Sequence, residues 1–214
     1  MSESSEILSQ WWPALLAYVV GATPFGFLAG KLKGIDIREH GSGNIGATNV
    51  LRTLGKPIGI TVLVLDVFKG MIPVIIAKMM SDNSALHIAT AITAILGHNY
   101  TFWLKFKGGK GIATTAGAVI PILTVPILVA IAVWVIFLKL TRYVSVASIA
   151  AAVAIPLTLS IQNLVSGQWE WVIFGFAVFV CLLAIWKHRA NIQRLRRGEE
   201  NRFAAKSSSS ETSS

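Results

Sequence analysis

The stretch Ile112–Leu138, IATTAGAVIPILTVPILVAIAVWVIFL, decides how this chain is arranged in a membrane. Its 27 residues are almost all apolar. One helical crossing of the hydrocarbon layer takes about 20 residues, so the stretch is long for one crossing and short for two. Pro121 and Pro126 lie near its middle, where a turn between two helices is expected. The number of crossings therefore depends on the charges that flank it.

Apolar runs of similar length recur along the whole chain. Hydrophobic residues make up 54% of the 214 residues, and charged residues only 14%. This composition is typical of a protein that crosses a lipid bilayer several times. By inspection the sequence has six such runs: Trp11–Gly30, Pro57–Met79, Ala85–Leu104, Ile112–Leu138, Val144–Val165 and Trp171–Trp186.

The cations indicate the topology, because cytoplasmic loops carry an excess of lysine and arginine. Clusters follow four of the runs, at 31–56, 105–110, 139–142 and 187–206. With single crossings throughout, the last two clusters would lie on the face opposite to the first two. If Ile112–Leu138 crosses twice, turning near Pro121–Pro126, all four lie inside. The sequence therefore predicts an all-α polytopic membrane protein with seven transmembrane helices, the fourth and fifth short, the N-terminus outside and the C-terminus cytoplasmic.

Composition also limits domains and partners. We expect one integral membrane domain over 1–206 and a disordered, serine-rich tail at 207–214. Cys181 is the only cysteine, which excludes intramolecular disulfides and cysteine-based metal sites. The net charge of +9 follows from the cytoplasmic cations, so we expect a bilayer and no nucleic acid as partner.

The first polar segment, Gly41–Arg52 (GSGNIGATNVLR), lies between the first two runs. Its hydroxyls, amides and arginine can hydrogen-bond phosphate oxygens, and glycine lets backbone N–H groups approach a ligand closely. A turn that only satisfies its own backbone is the alternative, and for one such loop alone it is the commoner case.

The second polar segment, Lys107–Thr115, contains KGGKG. It is not a nucleotide-binding P-loop, because no Ser or Thr follows Lys110 and the GxxxxGK spacing is missing. It can still cradle phosphate, or it can be a juxtamembrane turn whose cations contact anionic lipid. Two such loops on one face favour phosphate binding.

The third polar segment, Lys187–Phe203, is a basic stretch after the last run. Most of its charges fit a helix lying on anionic headgroups. His188 and Asn191 are three residues apart next to the membrane, so they share one helical face. His98 ends the third run in a similar position. Histidines on the side that carries both glycine loops are candidates for function.

Two charges lie inside the second run. Asp66 and Lys69 are spaced i, i+3, which permits an ion pair on one helix. Charges within a membrane are costly and are either paired or functional. We expect a structural pair facing the bundle in preference to direct catalysis.

These three segments, in this order, resemble the motifs of the bacterial acyl-phosphate:glycerol-3-phosphate acyltransferase (PlsY) family. The matching stretches are SGNIGATNVLR at Ser42–Arg52, GHNYTFWLKFKGGKGIAT at Gly97–Thr114 and HRANIQRLRRGEE at His188–Glu200. The second departs from the family at Thr101, where proline commonly follows the aromatic residue. The resemblance extends over nearly the whole chain.

The resemblance implies a seven-span enzyme of the bacterial inner membrane with its active site facing the cytoplasm. It would transfer a fatty acyl group from acyl phosphate to the 1-hydroxyl of sn-glycerol 3-phosphate. The products would be phosphate and lysophosphatidate, in the first step of phospholipid synthesis. No metal, nucleotide or other cofactor is implied.

Motif matching also carries site residues to this chain. Glycerol phosphate would bind Ser42, Arg52, Lys110, His188 and Asn191. The acyl phosphate would be held by Thr48, Asn49 and the glycines of the loop, and His98 would support Asn191. The expected catalytic residues are Ser42, His98, His188 and Asn191. The wider expected substrate-binding set is Ser42, Asn44, Thr48, Asn49, Arg52, Lys107, Gly108, Gly109, Lys110, Gly111, His188 and Asn191.

A protein base is hard to nominate from the sequence. No histidine is followed five residues later by aspartate, so the HxxxxD dyad of the other large acyltransferase class is absent. Acyl phosphate is already activated, which leaves positioning and charge stabilisation to the enzyme. A substrate phosphate, whose second pKa is about 6 by analogy with phosphoserine, can accept the hydroxyl proton.

Two other classes of protein remain as alternatives. A transporter or binding protein for a phosphate-containing metabolite would need a site near the bilayer midplane, whereas the loops cluster on one face. A metal-dependent phosphoryl-transfer enzyme would need several aspartates, and only two of them lie on the cytoplasmic half.

Overall fold

The computed structural model describes residues 10–203, and this part of the chain contains helices and no strands. The predicted all-α class is confirmed. The N-terminal residues 1–9, predicted to lie outside, and the tail at 207–214, predicted to be disordered, fall outside the described residues. The α-helices are α1 (Trp12–Ala22), α2 (Phe25–Leu32), α3 (Ala47–Leu54), α4 (Lys56–Met80), α5 (Ser84–Asn99), α6 (Ile112–Val119), α7 (Thr124–Thr141), α8 (Val144–Ser166), α9 (Trp171–Lys187) and α10 (Arg189–Arg197), with short 3₁₀ turns at Ile37–Glu39 and Phe102–Leu104.

Four of the described helical segments are long and apolar enough to cross a bilayer: α1 with α2, α4, α7 and α8. The pair α9 and α10, bent by 50°, makes a fifth if it counts as one span. Helix α5 has 16 residues and α6 only 8. At about 1.5 Å per residue, α6 is about 12 Å long, less than half of a hydrocarbon layer of about 30 Å.

The Ile112–Leu138 stretch forms two helices with a break at Pro121, near the turn that its two prolines predict. Helix α6 ends at Val119 and α7 begins at Thr124, with Pro126 in the first turn of α7, where its missing N–H breaks no helical bond. The Lys78 ammonium donates a 2.6 Å hydrogen bond to the Pro121 carbonyl oxygen at this turn, which satisfies a polar group that the broken helix leaves free.

The two helices of this stretch differ in length, which corrects the expectation that both are short. Helix α6 is short, but α7 has 18 residues. It runs on through Lys139 because nothing in that stretch stops a helix before Arg142, which adopts the left-handed conformation at φ 60°. Of the two helices, only α6 is too short to cross a bilayer.

Helices α4 and α6 lie in very close contact. A Cβ on Gly70 would overlap the carbonyl group of Thr114, and one on Gly117 would overlap that of Val67. Small residues let two helix backbones approach in this way within a membrane. The contact places the start of α6, and the glycine loop before it, beside the middle of α4.

The main hydrophobic core lies between α5, α6, α7, α8 and α9. It includes Ile95, Val119, Ile155, Phe176 and Val180, all of which are buried. Two of these core residues, Ile155 and Val180, also line the cavity that adjoins the three polar motifs.

Candidate active site

The three polar segments lie together around two neighbouring cavities. The first cavity has a volume of about 360 Å³ and is lined by residues from all three segments. The second, of about 330 Å³, is lined mainly by polar and basic residues. The side chains that line both cavities are Ser42, Asn44, Lys110, Asn191 and Arg194. The two cavities therefore form one site with two compartments.

Asn49 holds the first loop in shape. Its Oδ1 accepts a 2.8 Å hydrogen bond from the backbone N–H of Ser42, and its Nδ2 donates to the carbonyl oxygens of Ile37 (3.1 Å) and His40 (2.9 Å). The side chain is buried and its amide makes three bonds inside the protein. Asn49, predicted to bind substrate directly, positions Ser42 through these bonds and also lines the first cavity.

The other first-motif residues face the first cavity. Asn44 accepts a 2.9 Å hydrogen bond from the Gly46 N–H and so shapes the turn before α3. Thr48 and Arg52 line the cavity. The Arg52 guanidinium also donates to the carbonyl oxygen of Asn201 over 3.2 Å. This bond joins the first motif to the segment that follows α10.

The glycine loop is packed directly onto the end of α5. The Gly109 N–H donates to the His98 carbonyl oxygen over 3.1 Å, and a Cβ on Gly109 would overlap the His98 ring. A Cβ on Gly108 would overlap the backbone of His98 and Asn99. Glycine is therefore required here by space. Lys107, predicted as a substrate ligand, is exposed and lines neither cavity.

Lys110 points into the site. It lines both cavities, and burial among the cations Arg194, Arg52 and Lys187 lowers its pKa to about 8, against the opposing attraction of Glu200. Three further cations therefore lie near this lysine and add to its own positive charge. Such a cluster of cations attracts anions.

His98 belongs to a buried polar network at the base of the site. Its Nδ1 lies 3.2 Å from the Thr114 hydroxyl and 3.7 Å from Asp66 Oδ1. Asp66 forms the predicted pair with Lys69 at 2.7 Å, and the Lys69 ammonium also donates to the carbonyl oxygen of Thr23 over 2.8 Å. This last bond satisfies the free end of α1 at the break before α2. Asp66 and His98 both line the first cavity.

The third motif places two polar groups at the bend between α9 and α10. His188 Nδ1 lies 2.8 Å from the Ala184 carbonyl oxygen, so this nitrogen carries the hydrogen and Nε2 is the acceptor. Burial and the nearby Lys110 lower the His188 pKa to about 4. The ring is therefore neutral at physiological pH.

Asn191 is held by an acidic residue. Its Nδ2 donates to Glu200 Oε1 over 2.6 Å, and Glu200 also accepts from Ser145 (2.7 Å) and from Arg194 (2.9 Å). His98 makes no hydrogen bond to Asn191 within the part of the chain described. The expectation that His98 supports Asn191 is thus corrected: the support comes from Glu200.

The first cavity continues from these polar groups into an apolar compartment. Its walls come from α6, α7, α8 and α9 and include Ala116, Ala130, Trp134, Ala151 and Val180. Most of these side chains are small, which leaves room between the helices. The site can therefore take a molecule with an anionic head and a hydrocarbon chain.

Comparison with known proteins identifies the family. The family model described as glycerol-3-phosphate acyltransferase matches residues 11–198. A glycerol-3-phosphate acyltransferase of Desulforamulus reducens is 44% identical over 191 residues, covering 89% of this chain and 93% of that protein. The chain belongs to the glycerol-3-phosphate acyltransferase family. As a member it is an enzyme of acyl transfer to glycerol 3-phosphate.

Solved structures of the acyltransferase PlsY have the same fold. The crystal structure of its glycerol 3-phosphate form is 40% identical in sequence, covers 92% of this chain and 96% of that chain, and has a TM-score of 0.85. The lysophosphatidic acid form is 39% identical with a TM-score of 0.82 and the same coverage. That protein is described as an integral membrane enzyme, in agreement with the apolar helices of this acyltransferase.

The sequence analysis did not predict three hydrogen bonds of the acyltransferase site. Glu200, Ser145 and Arg194 form a polar cluster around Asn191. Glu200 could have been singled out from the sequence, because it is one of few acids among the many cations of these segments. Nothing in the sequence distinguishes Ser145, since a serine in an apolar run is common. Thr101, the departure from the family pattern, donates to the carbonyl oxygen of Ala22 over 2.5 Å and so joins α5 to α1.

Proposed function

We propose that this acyltransferase uses acyl phosphate as donor and transfers its acyl group to the 1-hydroxyl of glycerol 3-phosphate. The observation that carries the proposal is the two-part cavity, in which a cationic compartment with Lys110 and Arg52 opens into an apolar one. An acyl phosphate has a phosphate and a chain to match these two parts. The two PlsY structures, with glycerol 3-phosphate and with lysophosphatidic acid, support the acceptor and the product.

The cations and the glycine loop bind the two phosphates in this proposal. Lys110 lies between the compartments and so can contact either phosphate. Arg52 can bind phosphate bidentately from the first cavity, and Arg194 lines both. Ser42 is held at the boundary by Asn49, and its hydroxyl can donate to a phosphate oxygen.

His188 and Asn191 orient the reacting hydroxyl. Each presents an acceptor, Nε2 of the neutral His188 and Oδ1 of Asn191, and both residues line the first cavity. The hydroxyl oxygen attacks the acyl carbonyl carbon, the new ester C–O bond forms, and the bond between that carbon and the phosphate oxygen breaks. Inorganic phosphate leaves with the electron pair of that bond.

The hydroxyl proton goes to a substrate phosphate. A His188 with a pKa of about 4 is too weak a base to hold this proton at neutral pH. A phosphate monoester, with a second pKa of about 6 by analogy with phosphoserine, is better matched. Positioning of the two substrates beside fixed cations then supplies most of the rate enhancement.

The donor is tested by an assay on the purified protein. Palmitoyl phosphate and radiolabelled glycerol 3-phosphate, with chelator and without acyl-CoA, should give lysophosphatidate and phosphate in equal amounts. Palmitoyl-CoA is offered separately at the same concentration. Product from the thioester and none from the phosphate would overturn the proposed donor.

We also infer seven crossings, with the N-terminus outside and the site facing the cytoplasm from the inner membrane. The spans are α1 with α2, α4, α5, α6, α7, α8 and α9. The support is that all basic clusters then lie on one face. In a Cys181→Ala background, Asp82→Cys and Gln168→Cys should react with an impermeant maleimide on spheroplasts. Lys33→Cys and Lys105→Cys should react only after permeabilisation, and the reverse pattern would overturn the topology.

A further inference from the structure

A short segment after the last helix forms part of the wall of the first cavity. Helix α10 ends at Arg197, and residues 199–203 continue as an irregular segment, here called the strap. Glu200 and Asn201 both line the first cavity. The Glu200 side chain is only 7% exposed, whereas Asn201 is exposed. The strap therefore lies between the first cavity and the solvent.

The far end of the strap is attached to the turn between α7 and α8. Arg202 Nε donates a 3.1 Å hydrogen bond to the Tyr143 hydroxyl, and its guanidinium lies 5.4 Å from the centroid of that ring. The Phe203 N–H donates to the Arg142 carbonyl oxygen over 2.6 Å. None of these four residues has a part in the proposed reaction, so the attachment can be weakened without removal of a substrate ligand.

The near end of the strap contacts a proposed phosphate ligand. The Asn201 carbonyl oxygen accepts the 3.2 Å hydrogen bond from Arg52. A guanidinium has five N–H donors, so this bond leaves others for a phosphate. The strap can therefore stay in place while Arg52 binds substrate.

An acyl phosphate bound in the first cavity can react with water as well as with an alcohol. In that side reaction a water oxygen attacks the acyl carbonyl carbon, and the bond between that carbon and the phosphate oxygen breaks. One proton of the water passes to the phosphate and the other stays on the new carboxyl group, so fatty acid and inorganic phosphate form. Closure of a site against water prevents reactions of this kind.

We propose that the strap selects glycerol 3-phosphate over water as the acyl acceptor, because it closes the first cavity to solvent. The inference rests on the function proposed above. The acceptor does not need to pass the strap, since the second cavity is lined by Arg189 and Gln193, both of which are exposed. Glycerol 3-phosphate bound there fills the polar route that the strap leaves open. Water is then kept from the acyl carbon on both sides.

Release of the far end of the strap tests the proposal. Arg202→Ala removes both contacts with Tyr143, and Phe203→Pro removes the N–H that bonds to Arg142. The measured quantity is the rate of palmitate release from palmitoyl phosphate in proteoliposomes without glycerol 3-phosphate, corrected for hydrolysis in vesicles without protein. We expect this rate to rise roughly fivefold or more in both variants. A purely structural role of the strap would lower this rate together with acyl transfer.

Two further variants serve as controls. Arg197→Ala removes an exposed cation of α10 and should keep the wild-type rate of palmitate release. Tyr143→Phe keeps the ring beside Arg202 but loses the hydroxyl that accepts its hydrogen bond, so it should give a smaller rise. Palmitate release that is unchanged or lower in both Arg202→Ala and Phe203→Pro would overturn the inference. Absence of both palmitate and lysophosphatidate when wild type receives both substrates would instead overturn the proposed donor, on which the inference rests.

Discussion

The amide nitrogen of Asn191 lies 2.6 Å from Glu200 Oε1, and this contact fixes which end of the Asn191 side chain faces the site. An ionised carboxylate only accepts hydrogen bonds, so it must meet the NH₂ group. The Asn191 carbonyl oxygen then has no hydrogen-bond partner among residues 10–203. In the proposed reaction, the substrate hydroxyl supplies the hydrogen bond that this buried oxygen lacks.

Glu200→Gln should lower kcat more than it raises KM. A glutamine can donate as well as accept, so it no longer dictates the orientation of Asn191, and it weakens the bonds from Ser145 and Arg194. Hydrogen bonds to charged groups contribute about 1.5–3 kcal/mol, so we expect a loss of roughly tenfold to a hundredfold in kcat. Steady-state kinetics with glycerol 3-phosphate measure it. Glu199→Gln, at the exposed neighbouring residue, is the control and should behave like wild type.

The lowered pKa of Lys110 should appear in the pH dependence. Binding of a phosphate needs the ammonium form, which the free enzyme loses as pH rises through about 8. We therefore expect kcat/KM for glycerol 3-phosphate to fall on the alkaline side with an apparent pKa of about 8. A bound phosphate raises the lysine pKa, so the corresponding decline in kcat should lie at higher pH.

Lys110→Arg separates this effect from other alkaline changes. Arginine keeps its charge at every accessible pH, so the decline in kcat/KM near pH 8 should disappear even if the overall rate is lower. Calorimetric titration with glycerol 3-phosphate gives the same profile without the acyl donor. Retention of the decline in Lys110→Arg would assign it to another group.

Gly109→Ala should displace the glycine loop. The added methyl group would overlap the His98 ring, so the loop must move away from α5, and the loop N–H groups move with it. We expect the KM for both substrates to rise at least tenfold. Gly175→Ala, at a glycine where an added methyl group would meet no neighbouring side chain or helix within 4 Å, should leave both constants unchanged. Equal behaviour of the two variants would contradict the packing argument.

The Asp66–Lys69 pair should be strongly coupled in stability. Removal of one partner leaves a buried charge, which costs about 3–5 kcal/mol of the free energy of unfolding. Asp66→Leu and Lys69→Met should each destabilise by this amount, and the double variant by much less than their sum. Thermal unfolding in detergent, followed through the apparent Tm, provides the comparison. Additive losses would show that the two charges do not depend on one another.

Much of the site could be predicted from the sequence because each motif is one continuous stretch of residues. Segments such as Gly41–Arg52 and KGGKG place polar residues and glycines next to apolar runs long enough to cross a membrane, and this combination indicates a functional role. Positive charges then placed both segments on one face. The sequence therefore predicted one shared face, and the structure shows that the segments line the same two cavities.

The contacts of the site that could not be predicted from the sequence are those between residues far apart in the chain. Ser145 and Glu200 are 55 residues apart, and no spacing rule connects an apolar helix to a basic tail. The bonds of Asn49 to its own loop could not be foreseen either. Its residue type suits phosphate as well as it suits the backbone of that loop, and the sequence does not show the turn that brings these backbone groups to it.

The eight residues of α6 have a consequence for where the chemistry takes place. Asp66, which lines the site, lies ten residues into α4, about 15 Å along the helix axis from Lys56 at about 1.5 Å per residue. The glycine loop is held at a similar depth by the contact between α4 and α6. In the proposed reaction, the new bond forms about half of the way through a hydrocarbon layer of about 30 Å. The water-soluble acceptor has to travel this distance from the end of α4, whereas the hydrocarbon chain of the donor already lies within this layer.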